Sequence, residues 1–264
     1  MLVDLSHDQA EWDYGAPSIF RVASGALDAF LSAHLDLSSF EMKEIRDRRQ
    51  LNATEMKAWQ GLVLGIPSHV RMEDATRYDI VQWVRSGGRL VLLGFELGER
   101  HHETNLNALA DAFGLRFNSD IVAPRSWTGT GKPYDEPIEF TGIQSAHPVM
   151  AGVQNLRLWN LCTLTPEPGA DLVLALGENG IASLQRQGVN YTSKGWLRGG
   201  KQVFSTNYGV GWVPVIAEAP HGLTGQGRVL AIGTWVLFQQ NPTQPPGFDT
   251  ARFLANLLAW CAAQ

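Results

Sequence analysis

Four of the seven histidines, His7, His69, His101 and His102, fall just after apolar runs that read as buried strands. Ser6 and Asp8 flank the first, Ser68 precedes the second, and Glu96, Glu99 and Asn105 lie around the adjacent pair. Imidazoles near a carboxylate can move protons, hold a divalent metal or hydrogen-bond a polar ligand. The metal reading draws on His7, His69, Glu96 and His101 or His102, but no HExxH or carboxylate-rich loop is present, so no metal is expected. No GxGxxG or GxxxxGK[ST] occurs, and Gly225-Gln226-Gly227 precedes a strand rather than a helix, so no nucleotide cofactor is expected either. The candidate ligand-binding residues are therefore His7, Ser68, His69, Glu96, His102 and Asn105. The catalytic candidates are Glu96, His7 and His101.

A strand-to-helix turn can expose a nucleophile, and Gly94-Phe95-Glu96-Leu97-Gly98 has that form. Its central residue is a carboxylate, a poor acyl-transfer nucleophile but a usable base, or a nucleophile toward a sugar or phosphate. The structural alternative is a Glu96 that caps the next segment or bonds within its own loop.

These residues need a scaffold, and the hydropathy pattern supplies one. Gly61–Ile66 is a continuous apolar run, which suits a strand covered on both faces, and Leu2–Leu5, Arg89–Gly94 and Arg228–Gly233 read as further buried strands. Helical spacing follows Pro17, recurs at Ile80, Val81 and Val84 before Gly87-Gly88, and again over Asn105–Phe113 before Gly114. Leu37–Met42 is a further strand candidate. From Leu115 the style changes to short runs between Gly, Pro and polar turns: Pro137–Phe140, Leu156–Leu164, Leu172–Leu176, Gln202–Phe204 and Trp212–Ala217. The first style returns with Arg228–Gly233 and a helix over Thr250–Ala262. The expectation is an α/β fold: a flavodoxin-like parallel sheet flanked by helices, with a β-rich antiparallel excursion before the last strand and helix. It forms one discontinuous domain, 1–120 and 225–264 as core and 121–224 as insertion. In such sheets ligands bind beyond the carboxyl ends of the strands, where the histidines gather.

Composition sets the remaining bounds. The 264 residues are 44% hydrophobic and 18% charged, ordinary for a globular chain. A net charge of −5 gives no reason to expect nucleic acid. No apolar run approaches the roughly 18 residues of a membrane span. The opening Met-Leu-Val-Asp has no leader pattern, and Cys162 and Cys261 stand apart in apolar settings as reduced thiols do, so a cytoplasmic location is expected.

The stretch Gly61–Gly98 resembles the central part of the class I glutamine amidotransferase-like fold: GLVLGIP, a helix, then SGGRLVLLG running into GFELG. Enzymes of that superfamily carry Cys at the centre of the elbow. Here it is Glu96, so the resemblance implies no glutamine hydrolysis. A wider match is to its GIFT-type domains, found in intraflagellar transport proteins and in auxiliary proteins of gliding-motility ABC transporters. The opening strand ending in Asp4–His7, the NLxxLxxxFGLxFNSD run of Asn105–Asp120, His147-Pro148-Val149 with Gly152-Val153, GRVLAIGT (Gly227–Thr234) and the closing FLANLLAW (Phe253–Trp260) carry it. The trehalose-utilisation-like branch is a second relative. His147-Pro148 reads as a structural turn before a strand. The resemblance implies a noncatalytic binding or scaffold domain with a protein partner, part of a larger assembly. The nine tryptophans, among them Trp127, Trp159, Trp196 and Trp212, supply either core or interaction surface. The alternative is a hydrolase or lyase on a small polar or sugar-like substrate, using Glu96 with His7, His101 or His102.

Overall fold

The computed structural model describes residues 1–4, 43–45, 48–65, 71–99, 104–124, 136–176, 180–184, 213–234 and 247–263. Strands β1 (Leu2–Asp4), β2 (Lys43–Ile45), β3 (Gly61–Leu64) and β4 (Arg89–Leu93) alternate with helices α1 (Ala53–Met56) and α2 (Asp74–Arg85). Helix α3 (Leu106–Ala110) tightens into a 3-10 turn over Asp111–Phe113 and ends at Gly114, whose φ of 69° is left-handed. Then come β5 (Leu115–Phe117), β6 (Asp120–Pro124), β7 (Ile138–Phe140), β8 (Leu156–Leu158), β9 (Leu164–Pro166), β10 (Asp171–Ala175), β11 (Gly180–Leu184) and β12 (Pro214–Glu218). The short α4 (His221–Thr224), β13 (Arg228–Ile232) and α5 (Thr250–Ala262) close the chain.

One seven-stranded sheet has the order β10-β12-β13-β4-β3-β1-β2. The run β2-β1-β3-β4-β13 is parallel throughout, while β12 is antiparallel to both β13 and β10. With β13 as fifth member, the parallel run is the 2-1-3-4-5 order of flavodoxin-like sheets, and its switch point lies between β1 and β3. The expected flavodoxin-like α/β fold is thus what forms, with β13 between β12 and β4.

The continuous apolar runs follow from burial on both sides. Val91, Leu93, Leu230 and Ile232 face a core with Phe253, Leu254, Leu257 and Leu258 of α5. Leu90, Leu92, Val229 and Ala231 face a second core with Ile80 and Val84 of α2. Side chains alternate faces along a strand, so a strand apolar at every position needs a cover on each face. Each fully buried Leu or Phe on α5 contributes about 1.5–3 kcal/mol by area, as an upper bound.

The region after Leu115 departs from the sequence reading in two places. Leu156–Leu164 is two strands with different partners, since β8 pairs β7 and β9 pairs β5. The pattern also passed over β5, β6 and β11, short strands whose partners are distant in sequence. The candidates Leu37–Met42 and Gln202–Phe204 lie outside the described residues.

Candidate functional site

The turn after β4 is built by close approach. The Gly94 amide donates to the Ile232 carbonyl at 2.7 Å, extending the β4–β13 pairing into the turn. A β-carbon on Gly94 would lie 2.6 Å from the Phe117 ring, so only glycine fits there. Leu97 is held at φ 64°, one of two non-glycine residues with positive φ among those described. Its amide donates to the Asp120 carbonyl at 2.7 Å, and the Gly98 amide donates to the Phe95 carbonyl at 2.9 Å. A β-branched residue at this position would disfavour the left-handed geometry strongly; Leu97 is held in it by the bond to Asp120 and the burial of its side chain.

The β-rich region closes over this turn. The Cys162 amide donates to the Gly233 carbonyl at 2.9 Å, and the Asn118 amide to the Thr163 carbonyl at 2.9 Å. Residues 117–122 and 161–163 thereby lie across the carboxyl ends of β4 and β13. Glu96 is only 7% exposed and Leu97 only 3%. The accessible loop carboxylate expected from the sequence is therefore a buried one, because β6 and the chain before β9 cover the turn.

Behind the turn sits a polar set that the residue pattern alone did not single out. Asp120 is fully buried and accepts from the Thr163 amide at 2.8 Å and from the Thr163 hydroxyl. Burial lifts its carboxyl to about 6, against the lowering pull of those bonds. Cys162 is buried beside it, and desolvation, with the Asp120 charge next in weight, drives its thiol well above the usual range. Asn118 donates to the Thr163 hydroxyl oxygen at 2.8 Å and accepts from the Thr165 hydroxyl at 2.9 Å. Asn107 brackets Phe117, donating to its carbonyl at 3.0 Å and accepting its amide at 2.8 Å. Glu99 accepts the Asn107 amide, and burial raises its carboxyl. The signal was the FNSD end of the run that carries the family resemblance. What it encodes is a buried brace: every polar group named here, Glu99 included, turns to its neighbours.

Of the candidate residues, His7, Ser68, His69, His101 and His102 lie outside the described residues. Glu96 sits in the covered turn. Asn105 gives both ends of its amide to Met72, accepting the Met72 amide at 2.9 Å and donating to its carbonyl at 2.8 Å. That bond ties α3 to the segment entering α2. Among the described residues no group of three or more His, Cys, Asp and Glu side chains is arranged to hold a metal ion.

His147 lies at the opposite end of the sheet. It caps the 3-10 turn Pro148–Met150, its Nδ1 accepting the Val149 amide at 3.3 Å. Its Nε2 bonds Glu218, so with Nδ1 an acceptor the ring proton sits on Nε2.

No family model matches the chain, and no curated protein matches it in sequence. Solved structures do. The mmIFT52 N-terminal domain superposes with a TM-score of 0.68 over 100% of this chain and 97% of that one, at 13% identity. A ThuA-like protein from Bacteroides uniformis gives 0.52 over 98% and 89%, at 12% identity. Cytoplasmic protein STM3548 from Salmonella typhimurium gives 0.52 over 92% and 88%, at 10% identity. The chain has their fold. At such identities the likeness carries the fold and nothing of activity.

Among the described residues no helix is long and apolar enough to cross a membrane.

Proposed function

We propose that this chain is a noncatalytic binding or scaffold domain on the amidotransferase-like fold, of the GIFT type, and one component of a larger protein assembly. The observation that carries this reading is the filled elbow. Where an enzyme of this fold would present a nucleophile, Glu96 and Leu97 are buried under residues 117–122 and 161–163. The thiol nearest that turn, Cys162, is wholly enclosed and its ionisation suppressed. A nucleophile must be ionisable and reachable, and neither group is both. The likeness to the mmIFT52 N-terminal domain over the whole chain supports the same reading. On it, the protein is one discontinuous α/β domain, works in the cytoplasm with a protein partner, and requires no cofactor or nucleic acid.

The competing reading is a hydrolase or lyase acting through Glu96 with His7, His101 or His102. One experiment separates the two. The purified chain is incubated with glutamine, with aryl esters and with aryl glycosides, and release of ammonia or phenol is followed beside a Glu96→Gln variant. The expected result is no release above the variant, together with co-purification of the tagged chain in a fixed stoichiometry with partner proteins from its native cells. Turnover abolished by Glu96→Gln would overturn the binding reading.

A further inference from the structure

At the amino end of the sheet a cavity of about 430 Å³ is walled by residues 144–148 on one side and by Asp171, Val173 and Arg228 on the other. Register puts the last three on one face of the sheet. Asp171 of β10 stands opposite Glu218 of β12, and Glu218 stands opposite Leu230 of β13. Residues opposite each other share a face, and so do residues two apart on a strand. Asp171, Glu218 and Arg228 therefore lie on the face where Val173 and Leu230 meet α5. The cavity sits over β12, inward of the free edge of β10.

Two lining side chains, Arg228 and Asp171, carry opposite charges and come from strands on either side of β12. Arg228 sends Nε and one Nη to the two oxygens of Glu218, the latter at 2.6 Å. Glu218 is buried and bonded by His147 as well, and the guanidinium stands 5.5 Å from the centre of the Trp260 ring. Its orientation is thus set before any ligand arrives. The other Nη is turned away from Glu218 and meets no protein acceptor among the described residues. Asp171 is exposed at the rim, and no ion pair joins it to Arg228. Neighbouring strands lie about 4.8 Å apart, so Asp171 stands about one strand spacing from the Glu218 that holds the guanidinium. His147 spends both ring nitrogens, on the Val149 amide and on Glu218. Along the far wall the amides of Gln144, Ser145 and Ala146 donate to no backbone carbonyl among the described residues.

We propose that this cavity binds a small zwitterion of the amino-acid class, with its carboxylate on the outer edge of the Arg228 guanidinium and its ammonium on Asp171. The planar guanidinium takes a carboxylate through parallel N–H bonds, and here one of its edges is already spent on Glu218 while the other is not. Glu218 offsets the Arg228 charge, so a bare anion gains little at this place. The exposed Asp171 by itself holds a bare cation only weakly. A molecule that carries both groups engages both at once. Val173 and Pro148 give its carbon skeleton an apolar wall, and the volume is that of a small-molecule pocket. The site goes beyond the binding-domain reading and lies at the opposite end of the sheet from Glu96.

The test titrates the whole isotope-labelled chain with glycine, β-alanine, γ-aminobutyrate and the common α-amino acids, followed by NMR. The set varies the spacing between the two charges. At least one member is expected to bind saturably, with shifts at residues 144–148, 171–173 and 228. Its des-amino acid and its carboxamide should each bind about tenfold more weakly. Asp171→Asn, at an exposed position, should weaken the amino acid about tenfold and leave the des-amino acid unchanged, a split that a merely structural role would not produce. Ala146→Trp, at an exposed position of the wall, should abolish binding of every member with folding intact. No saturable binding, shifts confined to other residues, or equal binding of the amino acid to the Asp171→Asn chain overturns the site. In that event retained co-purification with partners leaves the binding-domain reading standing. Glu96-dependent turnover would sink that reading and leave these titrations as they are.

Discussion

The amide of Leu97 donates to the carbonyl of Asp120 across 2.7 Å, so the turn after β4 and the first residue of β6 are joined through the backbone. The same Asp120 holds Thr163 with its side chain, which brings a third segment to the junction. Three stretches far apart in sequence thus meet over the place where this fold ordinarily opens a site.

Asp120 should make stability depend on pH in an unusual direction. Its carboxyl stands at about 6 when folded, against 3.8 ordinarily, because burial disfavours the anion. A raised carboxyl contributes stability that is complete below pH 3.8 and lost as pH rises through about 6. Asp120→Asn removes the titration and keeps an acceptor for the Thr163 amide. From pH 4 to pH 7 the stability difference should therefore move in favour of the asparagine variant, by on the order of 2–3 kcal/mol. Denaturant melts of both proteins at several pH values check this; a difference independent of pH would refute it. Asp120→Ala removes the same titration and also strands the Thr163 amide, so it should be less stable than Asp120→Asn by about 1–3 kcal/mol at every pH.

Gly98→Ala tests the closeness of the brace. Gly98 has φ 53°, and a β-carbon there would stand 2.7 Å from the Asn118 carbonyl oxygen, part of the backbone. Backbone cannot swing aside as a long side chain does, so strain and displacement add. A loss of about 2 kcal/mol or more is expected in thermal or denaturant unfolding. A loss within about 0.5 kcal/mol would mean that the turn is not pressed against residue 118.

The parts of this molecule that are legible in the sequence are those whose partners are near or whose pattern is dense. Leu90–Leu93 is apolar at every position, which specifies burial on both faces, and Thr250–Ala262 shows its helix period and both ends. The excursion was harder. β5 and β9 pair Leu115 with Pro166, and β6 and β11 pair Asp120 with Leu184, over separations that no local pattern encodes. The elbow shows the same limit. GFELG announces a sharp turn, and Leu97 duly stands at φ 64°. Whether Glu96 faces solvent depends on residues 117–122 and 161–163, which arrive by tertiary folding. The charged cluster was invisible for a like reason: His147, Glu218 and Arg228 meet only because β12 and β13 lie side by side.

Glu218 should behave oppositely to Asp120. Burial pushes its carboxyl up, but the bonds from His147 and Arg228, with the Arg228 charge, outweigh that and leave it below the ordinary 4.5. A lowered carboxyl contributes stability present above 4.5 and lost as pH falls through the folded value. Glu218→Gln leaves Arg228 without its anion and should cost about 3 kcal/mol near neutrality, because one partner of a buried pair stays behind. The loss should shrink on acidification toward pH 4. Urea titrations at neutral and acid pH measure both, and a loss that grows with acid would contradict the arrangement.

The last expectation concerns thiol reactivity. Cys162 and Cys261 are both 0% exposed. Burial lifts the Cys261 thiol to about 12, and burial with the Asp120 charge lifts Cys162 well above its usual value. Alkylation needs a thiolate in contact with reagent, and each cysteine is denied both. The native protein should therefore react with a maleimide or an aromatic disulfide only as fast as it opens, while denaturant should release two thiols per chain. Because Asp120 beside Cys162 and the carbonyl of Arg89 near Cys261 belong to different regions, the two labelling rates also report two different openings. Mass spectrometry of the labelled peptides resolves them. A native chain in which Cys162 labels within seconds would have an elbow thiol that solvent reaches, and its elbow would then be an open site instead of a filled one.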